Sequence, residues 1–148
     1  RIGVQAKPFQ IIIFRCIRLV DETKGPLFSS EHDDRRTKAG IFLRKTRLDE
    51  LPQFWNVLVG DMSIVGPRPE RQFFIDQIVQ KAPIYTRLHR INPGITSWGQ
   101  VKFGYASNVN EMVERMKYDI LYLENMSLGL DVKICIYTVL IMIQGRGK

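Results

Sequence analysis

Apolar residues recur at helical spacing through the middle and the end of the chain. Leu51, Phe54, Trp55 and Leu58 fall at i, i+3, i+4 and i+7, one inward stripe of an amphipathic helix, with Gly60 where a C-terminal cap belongs. The helix starts between Thr46 and Asp49, and Pro52 favours the later start because proline costs little in a first turn. A second helix runs from about Glu70 to Lys81, turns Phe74, Ile75, Ile78 and Val79 inward, and is stopped by Pro83. A short basic helix follows around Tyr85 to Arg90. Asn108 and Glu111 have the spacing of a capping box for a helix with Met112, Val113, Met116 and Ile120 on one face. Ser127 caps a last helix, Leu128 to Gln144, closed by Gly145.

Strand chemistry is scarcer. Residues 8–20, PFQIIIFRCIRLV, are rich in β-branched and aromatic side chains and read as a buried strand punctuated by Arg15 and Arg18. Residues 25–40, GPLFSSEHDDRRTKAG, have the composition of an exposed connection. The run NPGITSWGQVKFGY, Asn92 to Tyr105, has turn and strand chemistry without a helical period, a loop or hairpin. The sequence predicts an α+β fold, predominantly helical, with residues 1–148 forming a single compact domain that contains a short strand or hairpin.

Composition agrees with one domain, since 148 residues at 45% hydrophobic content suffice for one core. Lys and Arg number 22 against 15 Asp and Glu, a formal charge of +7. That excess implies a polyanionic partner: nucleic acid, an acidic membrane face or phosphorylated substrates. Cys16 and Cys135 sit in apolar runs far apart, which fits reduced thiols better than a disulfide framework. The most apolar stretch, Ile134 to Ile143, is too short to span a bilayer and follows closely on Asp131 and Lys133.

The segment LRKTRLDELPQ sets two adjacent carboxylates, Asp49 and Glu50, at a helix start beside Arg44, Lys45 and Arg47. The macrodipole and three cations are expected to keep both ionised and exposed. An ionised, positioned carboxylate can attack phosphorus or hold Mg²⁺, although ordinary helix capping explains acidic residues equally well. In GPRPE, Gly66 to Glu70, Arg68 stands between two prolines that restrict its backbone on both sides. Such an arginine suits a bidentate phosphate contact, and equally a rigid turn. His32 and His89 are isolated, no spacing matches a zinc site, and the terminal GRGK lacks the spacing of a phosphate-binding loop.

With these residues laid out, the chain resembles the bacterial sugar transferase family, monotopic polyprenyl-phosphate phosphoglycosyltransferases that begin exopolysaccharide, capsule and glycan assembly. The likeness runs in order through RLDELPQFWNVLVGDMSIVGPRPE, PGITSWGQV and YDILYLENMSLGLDVKI, nearly the whole chain. It implies that Asp49 attacks the β-phosphate of a UDP-sugar, releasing UMP and leaving a phosphosugar on the carboxylate. Polyprenyl (undecaprenyl) phosphate then takes that phosphosugar. Glu50 matches the family's Mg²⁺ ligand, and Mg²⁺, Arg44 and Arg68 would lower the repulsion between an anionic nucleophile and anionic substrates. Arg15 matches the arginine of a basic-aromatic-arginine motif whose lysine is replaced by Ile13, and Arg47 joins the substrate-binding set.

Further departures are Asn92, where a basic residue is usual, and Lys102, Phe103, Gly104 and Tyr105 in place of Asn-Gly-Arg; Lys102 can supply the missing charge. These put substrate identity in question more than reaction type, and leave a non-catalytic scaffold of a glycan assembly complex as the alternative. A chain that opens at Arg1 is expected to lack the family's upstream re-entrant membrane helix. The rest would lie at the cytoplasmic face of the bacterial inner membrane, its positive charge and C-terminal helices toward anionic headgroups. Nucleic acid is set aside as a partner, because a nucleic-acid-binding domain explains the charge but neither the Asp-Glu pair nor the Pro-Arg-Pro turn. A homo-oligomer stays open.

Overall fold

The computed structural model describes residues 1–18, 35 and 37–144. Within them lie helices α1 (Lys38–Lys45), α2 (Gln53–Leu58), α3 (Gln72–Lys81), α4 (Trp98–Lys102), α5 (Val109–Glu124) and α6 (Leu128–Ile143). Strands β1 (Ser63–Val65) and β2 (Gly94–Thr96) and 3₁₀ turns at Val4–Ala6, Leu48–Glu50 and Pro83–Arg90 complete the described elements. Helix outweighs strand, as the spacing predicts.

The long helices hold the core. Phe74, Ile75 and Ile78 of α3 pack with Leu88 of the Pro83–Arg90 turn and with Met112 and Met116 of α5. Val65, Tyr122 and Ile134 tie β1, α5 and α6 together in a second cluster. Burying each large apolar side chain contributes about 1.5–3 kcal/mol, so these clusters set the relative placement of the elements that carry polar side chains. The caps are those the sequence marks. Asn108 Oδ1 accepts from Glu111 N–H at 2.9 Å, and Glu111 Oε2 accepts from Ser107 N–H at 2.6 Å, one residue before the cap. Ser127 Oγ accepts from Leu130 N–H at 3.2 Å.

The PGIT segment is a strand but not half of a hairpin. It pairs in parallel with β1, Ser63 opposite Gly94 and Val65 opposite Thr96. Parallel pairing needs a crossover, which α3 and the Pro83–Arg90 turn supply. The two strands close up at Gly66 and Gly94, where a Cβ on Gly94 would overlap the backbone nitrogen of Gly66. That approach welds the GPRPE turn to the PGIT strand.

Three further expectations change. Residues 8–18 are not a buried strand: Ile12, Ile13 and Phe14 are 43, 51 and 51% exposed. Instead of joining a ladder, Ile12 N–H donates to Asn56 Oδ1 at 3.0 Å and Phe14 N–H to the Asp49 carbonyl at 3.0 Å. Second, α2 has the predicted period but the opposite orientation. Gln53 and Asn56 are buried, while Leu51, Phe54, Trp55 and Leu58 are 47, 47, 60 and 79% exposed. Asn56 causes this, since its amide donates to the Gln10 carbonyl at 2.8 Å while its Oδ1 holds Ile12, which fixes the polar face inward. Gly60 does close the helix, with φ of 89°.

Third, the connection expected through Gly40 ends earlier. Thr37 Oγ1 accepts from Gly40 N–H at 2.9 Å and starts α1 at Lys38. Residues 25–34 and 36, with His32, lie outside the described residues, as do residues 19 and 20 and the terminal GRGK. Among the described residues no helix is long and apolar enough to cross a membrane.

Candidate active site

The site is built where α1 gives way to α2. Thr46 Oγ1 donates to the Phe42 carbonyl at 2.9 Å, which also accepts from Thr46 N–H, and to the Leu43 carbonyl at 3.2 Å at the end of α1. Arg47 then takes a left-handed conformation, φ 56° and ψ 19°, which swings the chain into the Leu48–Glu50 turn. A non-glycine residue there costs on the order of 1–2 kcal/mol. Burial and a local ion pair hold it: Arg47 is buried, with Nε 3.1 Å and Nη2 2.6 Å from Glu50 Oε2 three residues on. Glu50 Oε1 accepts from Arg68 Nη1 at 3.3 Å. The two oxygens of one carboxylate thus face two arginines from separate parts of the chain.

Glu50 is 8% exposed. Burial works against its ionisation, but Arg68 and Arg47 outweigh it and hold the carboxyl below its ordinary range. Asp49 moves the other way. Burial first and the neighbouring Glu50 second raise its pKa, against the pull of Arg44 and Arg47. Among the described residues Asp49 makes no ion pair of its own, and the Cys16 thiol lies beside its carboxylate, its own pKa raised by burial and by Asp49.

The expected macrodipole support is absent because α2 begins only at Gln53, so neither acid lies in its first turn. Nor is either acid fully exposed. The pair is asymmetric: one carboxylate is locked between cations and held below its ordinary range, while its neighbour is half-buried and raised above its own.

Arg44, in the last turn of α1, acts on Asp49 electrostatically. Arg68 is 25% exposed at its side chain and lies 5.7 Å from the Tyr105 ring centroid. Burial disfavours its charge, and Glu50 overcomes that and strengthens it. Arg15 is exposed and follows Phe14, whose N–H meets the Asp49 carbonyl, so backbone pairing carries it alongside the turn. Lys102 belongs to a different cluster: its Nζ stands 4.8 Å from the Trp98 ring and 5.5 Å from the Tyr137 ring, with Lys133 6.0 Å over the same Trp98. Arg47 faces Glu50 rather than solvent and acts as a holder of that acid instead of an open contact for substrate.

Sequence reasoning missed the part played by Cys16, Tyr105, Glu70 and Arg115. Glu70 sits in the GPRPE motif, yet nothing in the spacing shows its partner, Arg115, whose Nη2 donates to Glu70 Oε1 at 2.5 Å across 45 residues. Among the described residues there is no group of three acidic, histidine or cysteine side chains able to cage a metal. The adjacent Asp49 and Glu50 suit the other kind of site, in which Mg²⁺ takes one or two carboxylates and completes its shell with water and substrate phosphate.

A family model described as bacterial sugar transferase matches residues 1–145. A protein of Aeromonas hydrophila named UDP-N-acetylgalactosamine-undecaprenyl-phosphate N-acetylgalactosaminephosphotransferase is 42% identical over 147 residues, 99% of this chain and 35% of its own length. The UDP-glucose:undecaprenyl-phosphate glucose-1-phosphate transferase of Escherichia coli K12 is 40% identical over 141 residues, 94% of this chain and 30% of its own. The sugar transferase EpsL of Bacillus subtilis is 38% identical over 143 residues, 94% of this chain and 65% of its own. This chain spans about a third of the length of the Aeromonas and Escherichia relatives.

Proposed function

Because the chain belongs to the bacterial sugar transferase family, we propose that it is the catalytic part of a phosphoglycosyltransferase that moves a phosphosugar from a UDP-sugar to undecaprenyl phosphate through Asp49. The carrying observation is the asymmetric acid pair. Glu50 is held by Arg47 and Arg68, whereas Asp49, one residue away, has its pKa raised by burial and by Glu50 and makes no ion pair among the described residues.

In the first step a carboxylate oxygen of Asp49 attacks the β-phosphorus of the donor. The bond from that phosphorus to the bridging oxygen breaks, and its electron pair leaves on UMP. In the second, an oxygen of undecaprenyl phosphate attacks the same phosphorus and expels the Asp49 carboxylate. A carboxylate has no proton to lose before attack, so no neighbouring histidine is needed as a base. Arg68 and Arg44 supply positive charge against the phosphates. Glu50 would hold Mg²⁺, which would offset charge on the diphosphate.

A lipid acceptor requires the site to work at a membrane surface. The exposed stripe of Leu51, Phe54, Trp55 and Leu58 begins one residue after Glu50. We infer that this stripe lies on the cytoplasmic face of the inner membrane, the +7 charge drawing the domain to anionic headgroups. The test is UMP release from a panel of UDP-sugars with Mg²⁺ and undecaprenyl phosphate, using the whole protein in detergent. Release from one or two donors supports the reading; no release from any donor, with lipid acceptor present, would leave a scaffold role in its place.

A further inference from the structure

We propose that Arg115 and Glu70 are positioning residues that aim Arg68 at the acid pair, so that the buried ion pair between them serves phosphate handling as well as stability. The inference rests on the proposed transferase reading for its kinetic arm and on geometry alone for its structural arm.

Arg68 cannot be aimed from its own side chain. It is a quarter exposed and its bond to Glu50 is long at 3.3 Å, so its direction depends on the turn that carries it. Both flanking residues are prolines and donate no backbone hydrogen bond. The turn is therefore pinned from outside. Ahead of Arg68, the Pro67 carbonyl accepts from Gly94 N–H at 3.0 Å and Gly66 N–H donates to the Thr96 carbonyl at 3.0 Å. Behind it, the Glu70 carbonyl accepts from Ile2 N–H at 3.1 Å, and the Glu70 side chain meets Arg115 at 2.5 Å with both side chains over nine-tenths buried.

A buried ion pair is an inefficient way to gain stability, because desolvation offsets much of the attraction and an apolar pair of similar volume often does as well. Here it is not even fully satisfied, since Arg115 Nε has no hydrogen-bond partner among the described residues. What the pair does provide is direction. Four residues on, Asp119 accepts from Gly99 N–H at 2.8 Å. A Cβ on Gly99 would come within 2.9 Å of both Arg115 Cγ and Asp119 Oδ2, so α4 packs directly on the same two residues. One turn of α5 thus fixes the Arg68 turn through Glu70 and the start of α4 through Asp119. Arg68 is the side chain by which this frame reaches Glu50.

The experiment compares the whole protein with Arg68→Ala, with Glu70→Leu/Arg115→Met, and with all three changes, reading melting temperature, kcat and KM for UMP release, and the crystal structure of the double variant. The double replacement removes both charges together, so no lone buried charge threatens folding. Expected are a melting temperature within a few degrees of the parent, loss of the Arg68–Glu50 contact, and a fall in kcat/KM of about 10- to 100-fold, the scale of an ångström-size misplacement. In the Arg68→Ala background the double replacement should remove nothing further. An Arg68–Glu50 contact that persists in the double variant overturns the proposal whatever the activity. So does a loss of kcat/KM that multiplies with that of Arg68→Ala. A broken contact beside a parent that releases no UMP from any donor would sustain the anchor and contradict the transferase reading alone.

Discussion

At the residue scale the acid pair divides into two roles. Asp49→Asn removes the nucleophilic oxygen at nearly constant volume, and UMP release should fall to under a few per cent of the parent with the melting temperature little changed. Glu50→Gln should reduce release nearly as far but also destabilise the protein by roughly 1–3 kcal/mol, since it strips two guanidiniums of their shared anion in a buried site. The two variants therefore separate in a melting experiment. Asp119 gives a pH signature of its own: burial pushes its pKa up to about 6, only partly relieved by Gly99 N–H, Arg115 and Ser97. The folded state then holds this proton more tightly than the unfolded chain, so its contribution falls as pH rises from about 4 to about 6. Asp119→Asn should flatten that part of the stability–pH curve, and an unchanged slope in urea titrations would show that Asp119 is not buried as a proton-retaining acid.

At the scale of elements, sequence and structure agree where packing alone decides. The inward face of α3, the caps at Asn108 and Ser127 and the glycine after α2 follow from periods and cap chemistry that act within one turn. They part where a long-range polar contact decides. The stripe on α2 is real, but Asn56, bonded to Gln10 and Ile12 more than forty residues earlier, turns it outward. The same contacts bind Gln10 and Ile12 to a side chain rather than to a neighbouring strand. The LDELPQ motif marks the acid pair, while Arg47, which holds Glu50 from three residues before it, is legible only as one of three nearby cations. Its left-handed backbone has no signature in a sequence that places Arg, rather than Gly or Asn, at the turn. The outward stripe has a direct check. Trp55→Ser with Leu58→Ser should leave the melting temperature within a few degrees, because both side chains are mostly exposed, and should weaken sedimentation with vesicles of anionic phospholipid about tenfold or more. Binding that survives both changes would place the lipid contact elsewhere, with α6 the next surface to test.

At the scale of the whole molecule, helix packing places two sequence-distant motifs, LDELPQ and GPRPE, so that Arg68 reaches Glu50, and the parallel pair β1–β2 ties GPRPE to PGIT. The proposed chemistry uses this convergence to keep a basic carboxylate beside a clamped one. Its central claim is a covalent step on Asp49, and the most direct measurement is a donor-only reaction. Whole protein mixed with Mg²⁺ and the preferred UDP-sugar, without lipid acceptor, should release UMP in a burst of at most one equivalent. Mass spectrometry of the quenched protein should find the added phosphosugar on the peptide containing Asp49, and Asp49→Asn should abolish both signals. UMP appearing only after undecaprenyl phosphate is added, with no adduct trapped at any time, would contradict the covalent step and require direct transfer between the two bound substrates.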